Sequence, residues 1–214
     1  MDRKPVPAVI TAIFLALECL LYTAFLVLDL TGRGGQTIWL KYAGILLCLL
    51  YALLLTVRGG DRLVFFALLF TAGADWFLLV KNQHLELGLV LFLVVQTLYL
   101  LRLRRLGAGN HFFLRWVLAL LMGLAVFFFR LVSLLNLLVV LYFSQLLSNT
   151  ILAWTARKWM FAAGLTLFVC CDICVGLYNL GILHAFSSVG MWLFYLPSQI
   201  LIVLSAKETC YETK

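Results

Sequence analysis

Charge is what this sequence has least of. Only 12% of its 214 residues are Asp, Glu, Lys or Arg, 65% are hydrophobic, and the mean hydropathy is +1.10. A water-soluble domain of this size would lack the polar surface to stay in solution. Alternation of apolar and polar residues is missing as well; the apolar runs are solid, which argues against a β-barrel. The six cysteines form no extracellular framework. Cys19, Cys48, Cys170, Cys171 and Cys174 all fall inside apolar runs. Cys171 and Cys174 spell a C-x-x-C, but without a second ligand pair they read as small packing residues. No cleavable leader is expected, because the first apolar run is too long and lacks a small-residue cleavage ending. There is no G-x-S-x-G, no H-E-x-x-H and no glycine-rich phosphate loop. His84, His111 and His184 lie in or beside loops, so serine-hydrolase and zinc-hydrolase chemistry have no footing.

What is present is length in the apolar runs. Stretches of roughly 17–25 residues recur, enough to cross a bilayer as helix. They predict an all-α transmembrane bundle of eight helices, over residues 6–28, 38–57, 63–80, 88–101, 112–129, 131–153, 159–177 and 190–206, in a single domain covering 1–214. The run from Phe112 to Ala153 is too long for one crossing and is divided at Arg130. Gly32, Gly34 and Gly35 mark one turn, and Arg58 to Arg62 another. Eight crossings put both termini on one side. Twelve of the 16 Lys and Arg residues fall on that side and four on the other, which places both termini in the cytoplasm. The net charge of +7 then belongs to loops facing anionic lipid, and no nucleic-acid partner is expected.

Against this background two acids stand out. Asp75 sits in TAGADWFLL (Thr71 to Leu79), and Asp172 sits in LFVCCDICVGL, 97 residues later. A charge near the bilayer centre costs ~2.5–3.5 kcal/mol on insertion scales, so an intramembrane acid is a functional candidate by default. Ala72, Gly73 and Ala74 would let neighbouring helices come close. Glu18 is a third such acid. Counted from the starts of their spans, Glu18, Asp75 and Asp172 lie 12, 12 and 13 residues in. That is about 18–20 Å into the hydrocarbon, slightly past the midplane. The shared depth predicts one site, with spans 1, 3 and 7 around one cavity. Lys41, at the outer end of span 2, is expected at its rim and could pair with any of the three acids.

An internal repeat is also suggested. Asp75 and Asp172 occupy the third span of each four-span half, each followed seven residues on by Asn82 or Asn179, then by Tyr99 or Tyr195. Gln96, Asn136, Gln145 and Asn149 read as interhelical hydrogen-bonding groups.

Taken in order, these stretches resemble the lysoplasmalogenase family, the YhhN-like membrane proteins. These are eight-span enzymes with an Asp in a G-D-x-x-L motif of span 3. GADWFLL matches it, with Ala74 at the usual Gly. Gly88, Phe92 and Tyr99 resemble the span 4 pattern, with Gln96 at its usual His. Phe168-Val-Cys-Cys171-Asp172 is similar to F-x-x-S-D, and Tyr195-Leu-Pro-Ser198-Gln199-Ile-Leu201-Ile202 to Y-x-x-A-Q-x-L-I. Lys41-Tyr42 stands at the family's Lys-Pro.

The resemblance implies hydrolysis of the vinyl ether bond of a lysoplasmalogen, releasing a fatty aldehyde and glycerophosphocholine or glycerophosphoethanolamine. It implies Asp75 and Asp172 as catalytic residues and Lys41, Tyr99, Tyr195 and Gln199 as substrate-binding ones, to which the shared depth adds Glu18. The partners are the lysophospholipid and the surrounding membrane lipid, and the headgroup is expected toward the non-cytoplasmic side. The chemistry suits the residues: one carboxyl protonates carbon, one carboxylate activates water, and no cofactor, metal or nucleophilic serine is required. Asp172, flanked by Val169, Cys170, Cys171 and Cys174, is the expected proton donor. Asp75, with Thr71 and small neighbours leaving room for water, is the expected base. Two other classes fit the same acids: a proton-coupled transporter of a small solute, and a lysolipid-binding membrane protein without turnover. The first draws little support from helix breakers, since Pro197 is the one proline within a span.

Overall fold

Apolar side chains spaced along every run can only be satisfied by a backbone that pairs with itself, and in lipid that means helix. The computed structural model describes residues 6–31, 37–109 and 112–210, and in these it is all-helical. The helices are α1 (Ala8–Leu30), α2 (Ile38–Val57), α3 (Arg62–Asp75), α4 (Leu85–Arg105), α5 (Phe112–Phe128), α6 (Leu134–Thr155), α7 (Trp159–Asn179) and α8 (His184–Leu204). A π-helical turn, Trp76–Lys81, continues α3, and a 3₁₀ turn, Ser205–Cys210, closes α8. The expected basic start (Arg3, Lys4), the turn with Gly32, Arg33, Gly34 and Gly35, His111 and the tail Lys214 lie outside the described residues.

Seven of these helices are long and apolar enough to cross a membrane, and α5 is shorter. Its 17 residues span about 25 Å, just under the hydrocarbon thickness of about 30 Å. Helix α4 runs four residues past its expected end at Leu101, because Arg102 is not a terminating loop charge. Its guanidinium is fully buried, donating to Asp61 at 2.8 Å and to the side chain and carbonyl of Ser205 at 2.8 and 2.7 Å. The division near Arg130 is also where α5 ends; Arg130 is left-handed (φ 55°), and Ser133 caps α6 by accepting from the Asn136 amide.

The bundle is apolar outside, and its interior is an apolar core into which a minority of polar side chains is set. Glu18, Asp75, Gln96, Asn149 and Gln199 are buried, while Val9, Phe113, Phe127 and Leu134 face outward. Neighbour relations repeat when four helices are advanced: α1/α2, α2/α3, α3/α4 and α2/α8 recur as α5/α6, α6/α7, α7/α8 and α6/α4. The α7/α8 pair is the most extensive, and two glycines set its spacing. A β-carbon at Gly164 would lie 3.1 Å from the Ile202 backbone nitrogen, and one at Gly190 would lie 2.9 Å from Cys174 Sγ. These close approaches bracket Asp172 on one helix and Tyr195 on the other, and so fix the two relative to each other.

Candidate functional site

Asp75 is the last residue of α3, at the point where the helix widens into its π-helical turn. Such turns occur frequently at functional sites. This one is braced on both sides. The Tyr42 hydroxyl donates to the Ala72 carbonyl at 3.3 Å, and Trp76 packs on Tyr42 and Trp39. Leu78 lies so close to Gly88 of α4 that a β-carbon there would stand 2.5 Å from Leu78 Cγ. The turn ends at Asn82 in the left-handed region (φ 47°), which Asn tolerates better than most residues.

Each aspartate receives a tyrosine from a different helix. The Tyr195 hydroxyl of α8 donates to Asp75 Oδ2 at 2.6 Å, and the Tyr142 hydroxyl of α6 donates to Asp172 Oδ2 at 2.6 Å. Hydroxyl-to-carboxylate bonds of this length are the strong, charge-assisted kind. Two phenylalanines join the pairs. Phe92 lies 5.6 Å from Tyr142 and 5.7 Å from Phe168, and Phe168 meets Tyr195 edge-on at 5.6 Å. The four rings, Tyr142, Phe92, Phe168 and Tyr195, thus form one contiguous floor running from Asp172 to Asp75.

These six residues line one cavity of about 780 Å³. It reaches Asn82 and Asn179, both exposed, at the end of the bundle that carries the α3–α4 and α7–α8 connections. It also reaches the apolar flank. Val139 of α6 and Ile173 of α7 line it while remaining 40% and 49% exposed. An amphiphile could thus lie with its polar end at the bundle end and its chain against the membrane side. Asp75 is the more deeply placed acid, at 5% exposure, and Asp172 is half-buried. The apolar sleeve expected around Asp172 is therefore open on its cavity side.

The other expected site residues are distributed unevenly. Tyr195 lines the cavity; Glu18, Lys41, Tyr99 and Gln199 do not. Helix α1 is not a cavity wall, contrary to the expectation for span 1. It packs outside α2 and α8 and buries only Phe14, Glu18 and Phe25. Glu18 is fully buried and accepts from the Cys48 thiol at 3.2 Å. Lys41 pairs with none of the three acids. It bridges to Asp29 at 2.7 Å and lies 4.4 Å above the Trp192 ring, which also packs on Tyr195 and Phe25. Tyr99 and Gln199 are fully buried beneath the floor. Gln96 and Asn149 do bond between helices, at 3.0 Å. The repeat holds for the asparagines, which both line the cavity, but not for the tyrosines, since Asp172 takes Tyr142 rather than Tyr99.

Sequence reasoning passed over Tyr142 and Asp29. Tyr142 sits mid-span like the acids, but nothing in the chain says which tyrosine meets which acid. Asp29 was more accessible to reasoning: it closes α1 just before the turn into Lys41.

An all-helical, multi-pass bundle with paired carboxyls in an apolar-walled cavity is a membrane protein with an interior site. The chain belongs to the YhhN family, the family of lysoplasmalogenases, whose model matches residues 36–206. The match begins after α1, so Glu18 and Asp29 lie outside it. No curated protein and no solved structure matches the chain.

Proposed function

We propose that the protein hydrolyses the vinyl ether bond of a lysoplasmalogen by carboxylate acid–base catalysis. The observation that carries this reading is the pair of tyrosine-held aspartates on one aromatic floor, in a cavity that reaches both the bundle end and the apolar flank. Membership of the YhhN family supports the choice of substrate class. Asp172, on the side nearer the α6/α7 flank where the alkenyl chain enters, gives its proton to the β-carbon of the double bond. The π electrons form the new C–H bond and leave an oxocarbenium ion over Phe92 and Phe168. Water attacks the α-carbon and passes a proton to Asp75, giving a hemiacetal. Asp75 returns that proton to the departing glycerol oxygen as the C–O bond breaks. The hemiacetal hydroxyl proton goes to Asp172, so both groups end as they began. Two carboxyls near each other in a low-dielectric site favour a shared proton, which supplies one acid and one base together.

The polar headgroup lies at the Asn82/Asn179 end, the non-cytoplasmic side when both termini are cytoplasmic. The test is incubation of purified protein in nanodiscs with a 1-alkenyl lysophospholipid and with its saturated 1-alkyl analogue. Aldehyde should appear from the alkenyl lipid alone. Saturable binding of both lipids with no aldehyde from either would make the protein a lipid-binding one and defeat the proposal.

A further inference from the structure

Hydrolysis consumes one water per turnover, and in the proposed binding mode the headgroup occupies the cavity's polar end at Asn82 and Asn179 while the alkenyl chain fills its apolar part. Directly beneath its floor lies a second polar layer. Thr71 is one turn before Asp75 on α3, Gln199 one turn after Tyr195 on α8, and Gln96 one turn after Phe92 on α4. Ser148 lies nearly two turns after Tyr142 on α6. Helix directions put all of them on the same side of the floor. The layer extends to α1 and α2. Glu18 accepts from Cys48 at 3.2 Å, and its Oε2 lies 3.3 Å from where a β-carbon at Gly44 would stand, a position Leu196 of α8 also crowds at 2.9 Å. Tyr99 of α4 is fully buried, its ring 5.3 Å from Phe161. Polar side chains from α1, α2, α3, α4, α6 and α8 thus contribute to the layer, and on α3 it ends at Thr71, one turn from Asp75.

Its polar atoms are mostly unsatisfied by protein. Glu18 Oε2, Thr71 Oγ1, Gln96 Nε2, Tyr99 Oη, Ser148 Oγ, Ser198 Oγ and both amide atoms of Gln199 are buried with no hydrogen-bond partner among the described residues. A buried polar group left unpaired is costly, and buried water, with its 2–4 hydrogen bonds, is the usual remedy in a polar space. We infer that this layer is a hydrated chamber that holds a short chain of water between Glu18 and Asp75 and feeds Asp75 the water consumed in the reaction. Glu18, Tyr99 and Gln199 then act as positioning residues for water, not as contacts to the lipid. This second step rests on the proposed hydrolysis; the hydration itself does not. The chamber also gives Asp75 its role as base on grounds of water supply, since it is the aspartate that Thr71 adjoins.

The test has two readouts on the protein in nanodiscs. In radiolytic hydroxyl labelling, Tyr99 should be modified while Phe161, its equally buried ring neighbour at 5.3 Å, is spared. In aldehyde release, Thr71→Val should lower kcat at least tenfold with KM unchanged. A dry layer predicts the opposite: replacing an unpaired buried hydroxyl by a methyl of the same shape is neutral or stabilising. Tyr99 labelled no more than Phe161 overturns the chamber. Tyr99 labelled with Thr71→Val at wild-type turnover overturns the delivery. Tyr99 labelled in a protein that releases no aldehyde supports the chamber and defeats the hydrolase reading instead.

Discussion

Removing the Tyr195 hydroxyl is the sharpest single probe of the site, because Tyr195→Phe takes away one atom and little else. That oxygen donates to Asp75 Oδ2 at 2.6 Å, and the ring keeps its contacts with Phe168 at 5.6 Å and Trp192 at 5.9 Å. Hydrogen bonds to charged groups contribute ~1.5–3 kcal/mol. If that contribution is made where Asp75 must accept and return a proton, the loss corresponds to roughly 10–150-fold in kcat. The substrate chain still rests on the same rings, so KM should stay within a few-fold. The assay is aldehyde release coupled to an aldehyde dehydrogenase, read as NADH, with folding checked by monodispersity and Tm. Tyr51→Phe is the matched control: Tyr51 is as buried, its hydroxyl is bonded to Thr11 at 2.8 Å, but it does not line the cavity. It should lose about 1 kcal/mol of stability and no turnover. Tyr195→Phe within twofold of wild type, or equal losses in both variants, would refute the reasoning.

Three further outcomes follow from the same geometry. Asp75→Asn and Asp172→Asn should each lose most activity while still binding lysolipid, since an amide neither protonates carbon nor accepts a proton from water; vinyl ether turnover near the wild-type rate in either variant would remove that residue from the mechanism. Lys41→Met should lower stability by up to ~3–5 kcal/mol by leaving the buried Asp29 carboxylate without its countercharge, held only by the Thr37 hydroxyl at 2.7 Å, and the double variant Lys41→Met with Asp29→Leu should recover most of it in a Tm measurement; no recovery would mean that Lys41 stabilises through Trp192 instead. Gly88→Ala should push Leu78 off its seat and cost ~1–3 kcal/mol by overpacking, with turnover falling because Leu78 lines the cavity; unchanged turnover would show that the π-helical turn need not keep its position.

The helices were legible because hydropathy in a membrane is close to a direct readout of span. Ile38–Val57 matches its expected limits, and the division at Arg130 fell where α5 ends. The ends blurred where a polar residue is satisfied by protein: Arg102 keeps α4 helical beyond the apolar window by finding Asp61 and Ser205. The two aspartates were legible for the same energetic reason, since an acid among leucines needs a partner or a task. Their tyrosines were not. Whether Asp172 meets Tyr99 or Tyr142 depends on helix order in space, which shared depth along the chain leaves open. The same limit misplaced Glu18 and Lys41: equal depth was read as one cavity, but α1 packs outside the cavity wall, and Lys41 is taken by Asp29. The π-helical turn had no visible signal, because TAGADWFLL contains no residue that would break an α-helix.

The central claim is protonation of carbon by a buried carboxyl, and isotope incorporation tests it most directly. Turnover of an alkenyl lysophospholipid in D₂O, with the aldehyde trapped by borohydride as it forms, should give an alcohol carrying one deuterium at the former β-carbon. The released glycerol moiety should keep the oxygen of the original ether when the reaction runs in ¹⁸O water. Wild-type protein should yield this pattern, and Asp172→Asn should yield almost no product. Aldehyde free of deuterium at that carbon, or ¹⁸O in the glycerol hydroxyl, would contradict the account.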